Sequence, residues 1–290
     1  MEHFGYVRAS SVAQAVALLN EPGLRSRPLA GGTDLTLLAR VEPDLCDRVV
    51  DITQIPEMHH IYRTGERVFI GGGATFSEVI ESSIVAETAT ALAQACRLVG
   101  ATQIRNMGTL GGNVANAAAC ADSLPALVCL DATAQVATPD GAQEWPVAEL
   151  VRGPNRTLIP PGGLLVWLSY PIPQAGSRSV FIKLGRRNAM AISRLTVAAL
   201  GRLDAEGRIA EARLTPGSAT PQICRFRRVE DSLLGQTPGE AVYSAAARLA
   251  VEEMTRISGR RWSSEFKEPT LEAMVRRALA QVFNAQGREA

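Results

Sequence analysis

Aromatic residues are scarce in this chain, only 5% of its 290 positions, and there are just three histidines. His3, His59 and His60 form no ligand-like or triad-like cluster, and the His59–His60 pair behind Pro56 reads as a solvated loop rather than a metal site. The five cysteines, Cys46, Cys96, Cys120, Cys129 and Cys224, are odd in number and show no C-x-x-C spacing, which argues against a disulfide framework or a metal site and for reduced, mostly buried thiols. Neither sign of charge dominates: 30 Lys and Arg face 29 Asp and Glu, a net charge of +1. Nucleic acid is therefore disfavoured as a partner, since phosphate backbones are bound by a surplus of clustered basic side chains. Disorder is disfavoured by a hydrophobic content of 46%. The N-terminal stretch MEHFGYVRASS lacks the apolar run of a signal peptide, and even Leu164–Trp167 is soon interrupted, far short of the ~18 apolar residues of a membrane span. Internal repeats and low-complexity segments are missing too. What remains is a soluble, cytoplasmic chain of about two domains, acting on a small molecule or another protein.

The patterning that is present alternates between periods. Residues 10–20 place Val12, Ala15, Val16 and Leu19 on one helical face, behind a Ser10 or Ser11 cap and before Gly23. A short apolar run, Pro28–Ala30, leads through GGTD into a second helical pattern, LTLLAR. Strands are expected at 48–52 and at RVFIGGG, the latter ending in a capping box, Thr75-x-x-Glu78. A long small-residue helix is expected from about Val85 to Val99, closed by Gly100. TAQVAT at 133–138 before Pro139-Asp140-Gly141 signals a hairpin, 164–172 an apolar strand, and PIPQAGS at 171–177 a linker. Beyond it come strands near 179–184, 192–203 and 208–215, a DAEG turn at 204–207, then helical patterns near 224–234, 239–256 and 269–285. Strands grouped first and helices last indicate a separate α+β unit.

Two glycine loops carry the chemistry. In Pro28-Leu29-Ala30-Gly31-Gly32-Thr33-Asp34-Leu35 the paired glycines let the backbone turn sharply and present N–H groups, while Thr33 opens a helix whose dipole favours an anion. An ordinary strand-to-helix turn would also use paired glycines. The second stretch, Arg105-Asn-Met-Gly-Thr-Leu-Gly-Gly-Asn113 followed by VANAAACAD, describes a backbone approached closely over a dozen positions, either by an extended ligand or by tight packing. Asp122 at its end could accept from a ribose or cap the helix begun by Ser123-Leu-Pro125. Two such loops about eighty residues apart match a diphosphate better than a monophosphate. Neither a G-x-G-x-x-G nor a G-x-x-x-x-G-K-[ST] motif occurs, and the GGG at 71–73 lacks a glycine at the needed offset, so a dinucleotide would be held on an FAD fold other than the Rossmann type.

LAGGTDL at 29–35 and IRNMGTLGGNVANAAACADSLPALVCLDA at 104–132 together resemble the FAD-binding medium subunit of the xanthine dehydrogenase and carbon monoxide dehydrogenase family. FGYVRASSVAQAVALL resembles that family's N-terminus, and KLGRRNAMAISRLTVA at 183–198 the start of its C-terminal flavoprotein domain, so the likeness covers essentially the whole chain. The resemblance implies an α+β fold: a vanillyl-alcohol-oxidase-type (PCMH-type) FAD-binding domain at 1–175, with subdomains at about 1–55 and 56–175, and a C-terminal domain at 176–290 with a three-stranded antiparallel sheet and helices. It further implies a diphosphate on Pro28–Leu35 and on Thr109, Leu110, Gly111, Gly112 and Asn113, with Asp122 at the ribitol or ribose and Val99, Leu165 and Lys183 near the flavin. Val99 stands where animal xanthine dehydrogenases carry an aromatic residue, which alters the local stacking. The benzoyl-CoA-reducing branch has a cysteine-rich insertion for an additional iron–sulfur cluster; its absence here implies no cluster in this chain.

The implied role is electron transfer. Substrate is hydroxylated at a molybdenum-pterin centre in a large partner subunit, and electrons pass through [2Fe–2S] clusters of a small partner to FAD, then to NAD+, oxygen or another acceptor. No catalytic acid or base is expected in this chain, because the chemistry belongs to the cofactor. The competing readings are a self-contained flavin oxidoreductase on the same fold and a non-enzymatic flavin carrier or assembly factor. Arg186 and Arg187 read as a solvated basic pair, with an acidic partner or the cofactor as the alternative, and the 239–256 helix reads as core packing.

Overall fold

The computed structural model describes residues 4–187 and 190–284; His3, Asn188 and Ala189 lie outside them, as does the last residue of the 269–285 pattern. The first unit alternates strand and helix: β1 (Gly5–Arg8), α1 (Val12–Leu19), β2 (Ser26–Leu29), α2 (Leu35–Val41) and β3 (Arg48–Asp51). Parallel pairing puts β3 in the centre of a three-stranded sheet, between β1 and β2. Ser11 caps α1, its side chain accepting from the Gln14 N–H, and the helix buries Ala15, Val16 and Leu19 against Val50 and Ile52.

A 3-10 turn at Pro56–His59 leads into β4 (Ile61–Thr64) and β5 (Arg67–Gly71), followed by a run of short helices. These are α3 (Phe76–Glu81), α4 (Ser83–Thr88), α5 (Thr90–Arg97), α6 (Thr102–Met107), α7 (Leu110–Asn116) and α8 (Ser123–Cys129). The expected capping box is present, with Thr75 and Glu78 exchanging side-chain and backbone bonds at the start of α3. The expected single helix at 85–99 is instead two. It breaks at Ala89 (φ −146°), where the Ala91 N–H donates to Ser179 Oγ at 3.0 Å and so leaves the helical ladder. Alanines give no pattern by which such a break could be read in advance.

The hairpin β6 (Thr133–Thr138) and β7 (Gly141–Pro146) turns at the anticipated Pro139-Asp140-Gly141. After α9 (Val147–Leu150) and the small ribbon β8 (Val151–Gly153) and β9 (Arg156–Thr157), β10 (Leu164–Pro171) closes a five-stranded antiparallel sheet in the order β4-β5-β10-β6-β7. Buried on both faces, β10 serves two cores: Leu164 and Val166 pack with the α1 cluster, Leu165 and Leu168 with the helices α3 to α8. A register shift between Leu165 and Trp167 accommodates both demands.

The remainder comprises β11 (Arg178–Gly185), β12 (Ser193–Leu203) and β13 (Ile209–Gly217) in one antiparallel sheet, then α10 (Arg227–Leu233), α11 (Glu240–Ser258) and α12 (Ser264–Phe283). One face of this sheet, with Leu195, Val197 and Ala199, packs on the three helices, while Phe181, Ala198 and Leu200 on the other join the α5–α8 core. A sheet covered on both sides explains the unbroken apolar run in β12. α12 begins five residues before the expected Pro269, because Phe266 under the Arg194 guanidinium and Lys267 donating to the Ser218 carbonyl anchor its first turn.

Candidate functional site

The two glycine loops meet. A Cβ at Gly31 would lie 1.8 Å from the Met107 carbonyl oxygen, so the first loop rests directly on the backbone of the second. The second loop rests in turn on the GGG stretch. The Leu110 and Gly111 N–H groups donate to the Ala74 and Gly72 carbonyls at 2.9 and 3.0 Å, and a Cβ at Gly111 would lie 2.5 Å from Gly72 O. Gly72 itself has no room for a Cβ, which would lie 2.4 Å from the carbonyl oxygen of Leu165 on β10. Part of this glycine richness is therefore packing, as the plainer reading of the second stretch held.

The loops differ in what their amides do. In the second, Gly112 N–H donates to Thr109 Oγ1 and Asn113 N–H to the Thr109 carbonyl, both at 3.0 Å, so the N–H groups of residues 110–113 are satisfied within the protein. In the first, the N–H groups of Gly31, Gly32, Thr33 and Asp34 find no acceptor among the described residues. Gly32 at φ +67° supplies the left-handed turn that lines these amides up. Asp34, positioned to cap α2, makes no side-chain cap bond. Between the loops lies a cavity of about 150 Å³, walled by Ala30, Gly31, Asn106, Met107 and Thr109 of the two loops together with Ile52, Thr53, His59, Gly73 and Thr75. That is below the roughly 300–1,000 Å³ of a whole small-molecule pocket, and suits one end of an extended ligand.

Of the other expected residues, Leu165 lies on β10 against Gly72, while Val99, Asp122 and Lys183 come together at a buried ion pair. Lys183 of β11 donates from Nζ to Asp122 Oδ2 at 2.6 Å and to the Leu98 carbonyl, beside Val99, at 2.9 Å. Asp122 Oδ1 accepts from Ser193 Oγ of β12. Asp122 thus stands at the head of α8 without capping it, and burial pushes its carboxyl above the ordinary range against the opposing pull of Lys183 and Ser193. The pair connects back to the second loop, since the adjacent Ser123 donates from Oγ to Asn113 Oδ1 at 2.6 Å. A larger hollow, about 290 Å³, lies by Arg194, Trp262 and Phe266 and contains none of these residues.

Comparison with known proteins decides what kind of cradle this is. Residues 2–173 match the family described as the FAD binding domain in molybdopterin dehydrogenase, and residues 180–282 match the CO dehydrogenase flavoprotein C-terminal domain. The chain belongs to this FAD-binding family. It is 30% identical over 284 residues to the xanthine dehydrogenase FAD-binding subunit of Escherichia coli O157:H7, covering 97% of both chains. It is 35% identical over 185 residues to the carbon monoxide dehydrogenase medium chain of Afipia carboxidovorans, covering 63% of this chain and 64% of that one. A solved structure of reconstituted CO dehydrogenase from Oligotropha carboxidovorans superposes with a TM-score of 0.90 at 26% identity over 98% of this chain and 99% of that one. The family is one of oxidoreductases of the molybdenum hydroxylase type.

The residues present fit the family's cofactor. The amides of Gly31 to Asp34, without an acceptor among the described residues, are the kind of donors that a diphosphate takes up, and Gly112, exposed on the second loop, leaves that backbone approachable. Gly72 and Gly73 lack a dinucleotide spacing, yet their density marks the close backbone approach seen here at Leu165, Gly111 and Met58. Asn106 and Met107 fall within the second glycine stretch and Thr75 in the capping box, whereas Thr53 and Ser193 carry no short-range signal. Among the described residues no helix is long and apolar enough to cross a membrane, and no group of His, Cys, Asp and Glu is arranged to hold a metal.

Thr53 owes its place on the wall of this cavity to Asp51. Asp51 Oδ1 accepts from both Thr53 N–H (2.8 Å) and Thr53 Oγ1 (2.7 Å), while Tyr6 and Arg8 bond its other oxygen. Burial raises the Asp51 carboxyl, but the bonds from Tyr6, Thr53 and Arg8 outweigh it and hold the group at about 2. A depressed native value means that the stabilisation is complete above the unfolded value of about 4 and is lost as pH falls through about 2. Urea unfolding of the wild type should lose roughly 2 kcal/mol more than Asp51→Asn between about pH 5 and pH 2. Parallel acid profiles would contradict this.

Proposed function

We propose that this chain is the FAD-carrying electron-transfer subunit of a molybdenum hydroxylase complex. It takes electrons from [2Fe–2S] clusters of a small partner subunit and delivers them to NAD+ or another acceptor, while a large partner holds the molybdenum-pterin centre. The observation that carries the reading is the row of amides at Gly31–Asp34 that find no acceptor among the described residues, with Gly31 on the wall of a cavity closed by the second glycine loop. Bound FAD supplies reversible two-electron chemistry that can meet one-electron carriers on one side and a two-electron acceptor on the other.

The protein's part is to grip and orient. Pro28 and Leu29 end β2 and fix where the first loop begins, Ala30–Asp34 present amides to the diphosphate, and Leu35 starts α2. Thr109 to Asn113 close the opposite side, Leu110 being wholly buried as the anchor of that loop. Asp122 retains an unused lone pair on each oxygen for the ribitol or ribose hydroxyls. Val99, Leu165 and Lys183 line the flavin end. In this reading residues 1–175 form the FAD-binding domain, with subdomains at about 1–55 and 56–175, and residues 176–290 the C-terminal domain whose β11 brings Lys183 to Asp122.

The test is reconstitution with the two partner polypeptides. Substrate should bleach the flavin absorbance only in the assembled complex, and the isolated chain should hydroxylate nothing. Sustained substrate turnover by the isolated chain would overturn the proposal in favour of a self-contained flavin oxidoreductase.

A further inference from the structure

β12 enters its sheet through a bulge. Leu195 pairs with Leu184 of β11 and Ser193 with the next residue, Gly185, so Arg194 is the extra residue between them. From Leu195 onward the strand alternates strictly: Leu195, Val197 and Ala199 pack on the helices α10 to α12, while Ala198 and Leu200 face the core of α5 to α8. Continued without a break, that alternation would turn Ser193 toward α10 to α12 and Arg194 toward α8, where Asp122 stands. The bulge reverses both. Ser193 Oγ donates to Asp122 Oδ1, and the Arg194 guanidinium lies over the Phe266 ring of α12, 4.9 Å from its centre. Gly185 gives the chain room at this point, since a Cβ there would come within 2.5 Å of Ala191 Cβ.

The exchange decides what Asp122 can still accept. A guanidinium facing that carboxylate would take both oxygens in a bidentate pair, on top of the bond that Oδ2 already receives from Lys183 Nζ at 2.6 Å. A serine hydroxyl has one proton to give and occupies one acceptor site on Oδ1 alone. Asp122 is thus held at one oxygen by each strand, Oδ2 by Lys183 from β11 and Oδ1 by Ser193 from β12. Both oxygens keep acceptor capacity. Ser193 is buried together with the carboxylate, so its hydroxyl, and not bulk water, fixes Oδ1.

We infer that Ser193 is a positioning residue for FAD: the bulge aims its hydroxyl at Asp122, orients the carboxylate and keeps Arg194 off it, so that Asp122 stays open to the ribitol or ribose hydroxyls. The inference rests on the proposed FAD site and adds a residue that acts on the cofactor only through Asp122.

The test is the FAD dissociation constant of the full chain, followed by flavin fluorescence, with urea unfolding of each variant alongside. Ser193→Ala should bind FAD about fivefold more weakly, the effect of one hydrogen bond. On the background of Lys183→Met with Asp122→Leu no carboxylate remains to orient, and there Ser193→Ala should change the affinity no further. Unchanged affinity in Ser193→Ala would overturn the inference, as would an equal loss on both backgrounds, which would mark a role in the strand alone. Ser193→Cys, close in shape but a weak donor, should behave as Ser193→Ala does, and it makes the same comparison if the alanine variant does not fold. A wild-type chain that binds no FAD at all would instead refute the FAD site itself.

Discussion

Replacing Gly31 by alanine is expected to abolish practical FAD binding. The added methyl would sit 1.8 Å from the Met107 carbonyl oxygen, a contact with backbone that no rotamer change can relieve. The loops must separate, and the amides of Gly31 to Asp34 are then displaced from the second loop. Losing two amide hydrogen bonds to a charged phosphate, at about 1.5–3 kcal/mol each, corresponds to a weakening of at least about 100-fold. Overpacking should also cost about 1–3 kcal/mol of stability. Gly239→Ala is the control: nothing lies within 4 Å of its Cβ position, so FAD affinity should be unchanged. Isothermal titration on both variants checks the contrast, and near-equal affinities would show that the two loops do not act together.

Lys183→Met should destabilise the chain by about 3–5 kcal/mol, because it leaves the Asp122 carboxylate buried without its cation. The side chains of Lys183 and Asp122 are only 9% and 6% exposed, so water cannot replace the lost partner. The pair also ties β11 to the start of α8, joining two parts of the chain 61 residues apart. Adding Asp122→Leu to Lys183→Met should recover most of the loss, since a well-packed apolar pair often matches a buried ion pair in stability. Chemical unfolding of the two single variants and the double variant forms the cycle, and additive losses would mean that the two residues are not coupled. FAD affinity should fall in all three, for the proposed ribitol and flavin contacts are lost whether or not stability returns.

What could be read from the sequence follows the range of the interactions involved. The capping box at Thr75 and Glu78 and the turn at Pro139-Asp140-Gly141 depend on neighbours three residues apart or fewer, and both stand where the pattern put them. The division of the 85–99 helix at Ala89 depends on Ser179, some ninety residues away, and nothing in a row of alanines announces it. The early start of α12 is set likewise by Arg194 and Ser218, partners from the sheet. At the site, both glycine loops were legible because backbone approach excludes side chains and so leaves a compositional trace. Which loop keeps its amides free was not legible, because that depends on the carbonyls of Gly72 and Ala74 taking up the donors of Leu110 and Gly111. The place of His59 on the cavity wall was illegible for the same reason: it is set by Thr53 and Gly73, which only the fold brings around it.

Amide chemical shifts of the 15N-labelled chain during FAD titration test the central claim most directly. The N–H resonances of Gly31, Gly32, Thr33 and Asp34 should move strongly downfield and saturate at one FAD per chain, while those of Leu110 and Gly111, already bonded to carbonyls, move little. Saturation with FAD that leaves the four first-loop amides in place, or a chain that takes up no flavin, would contradict the account.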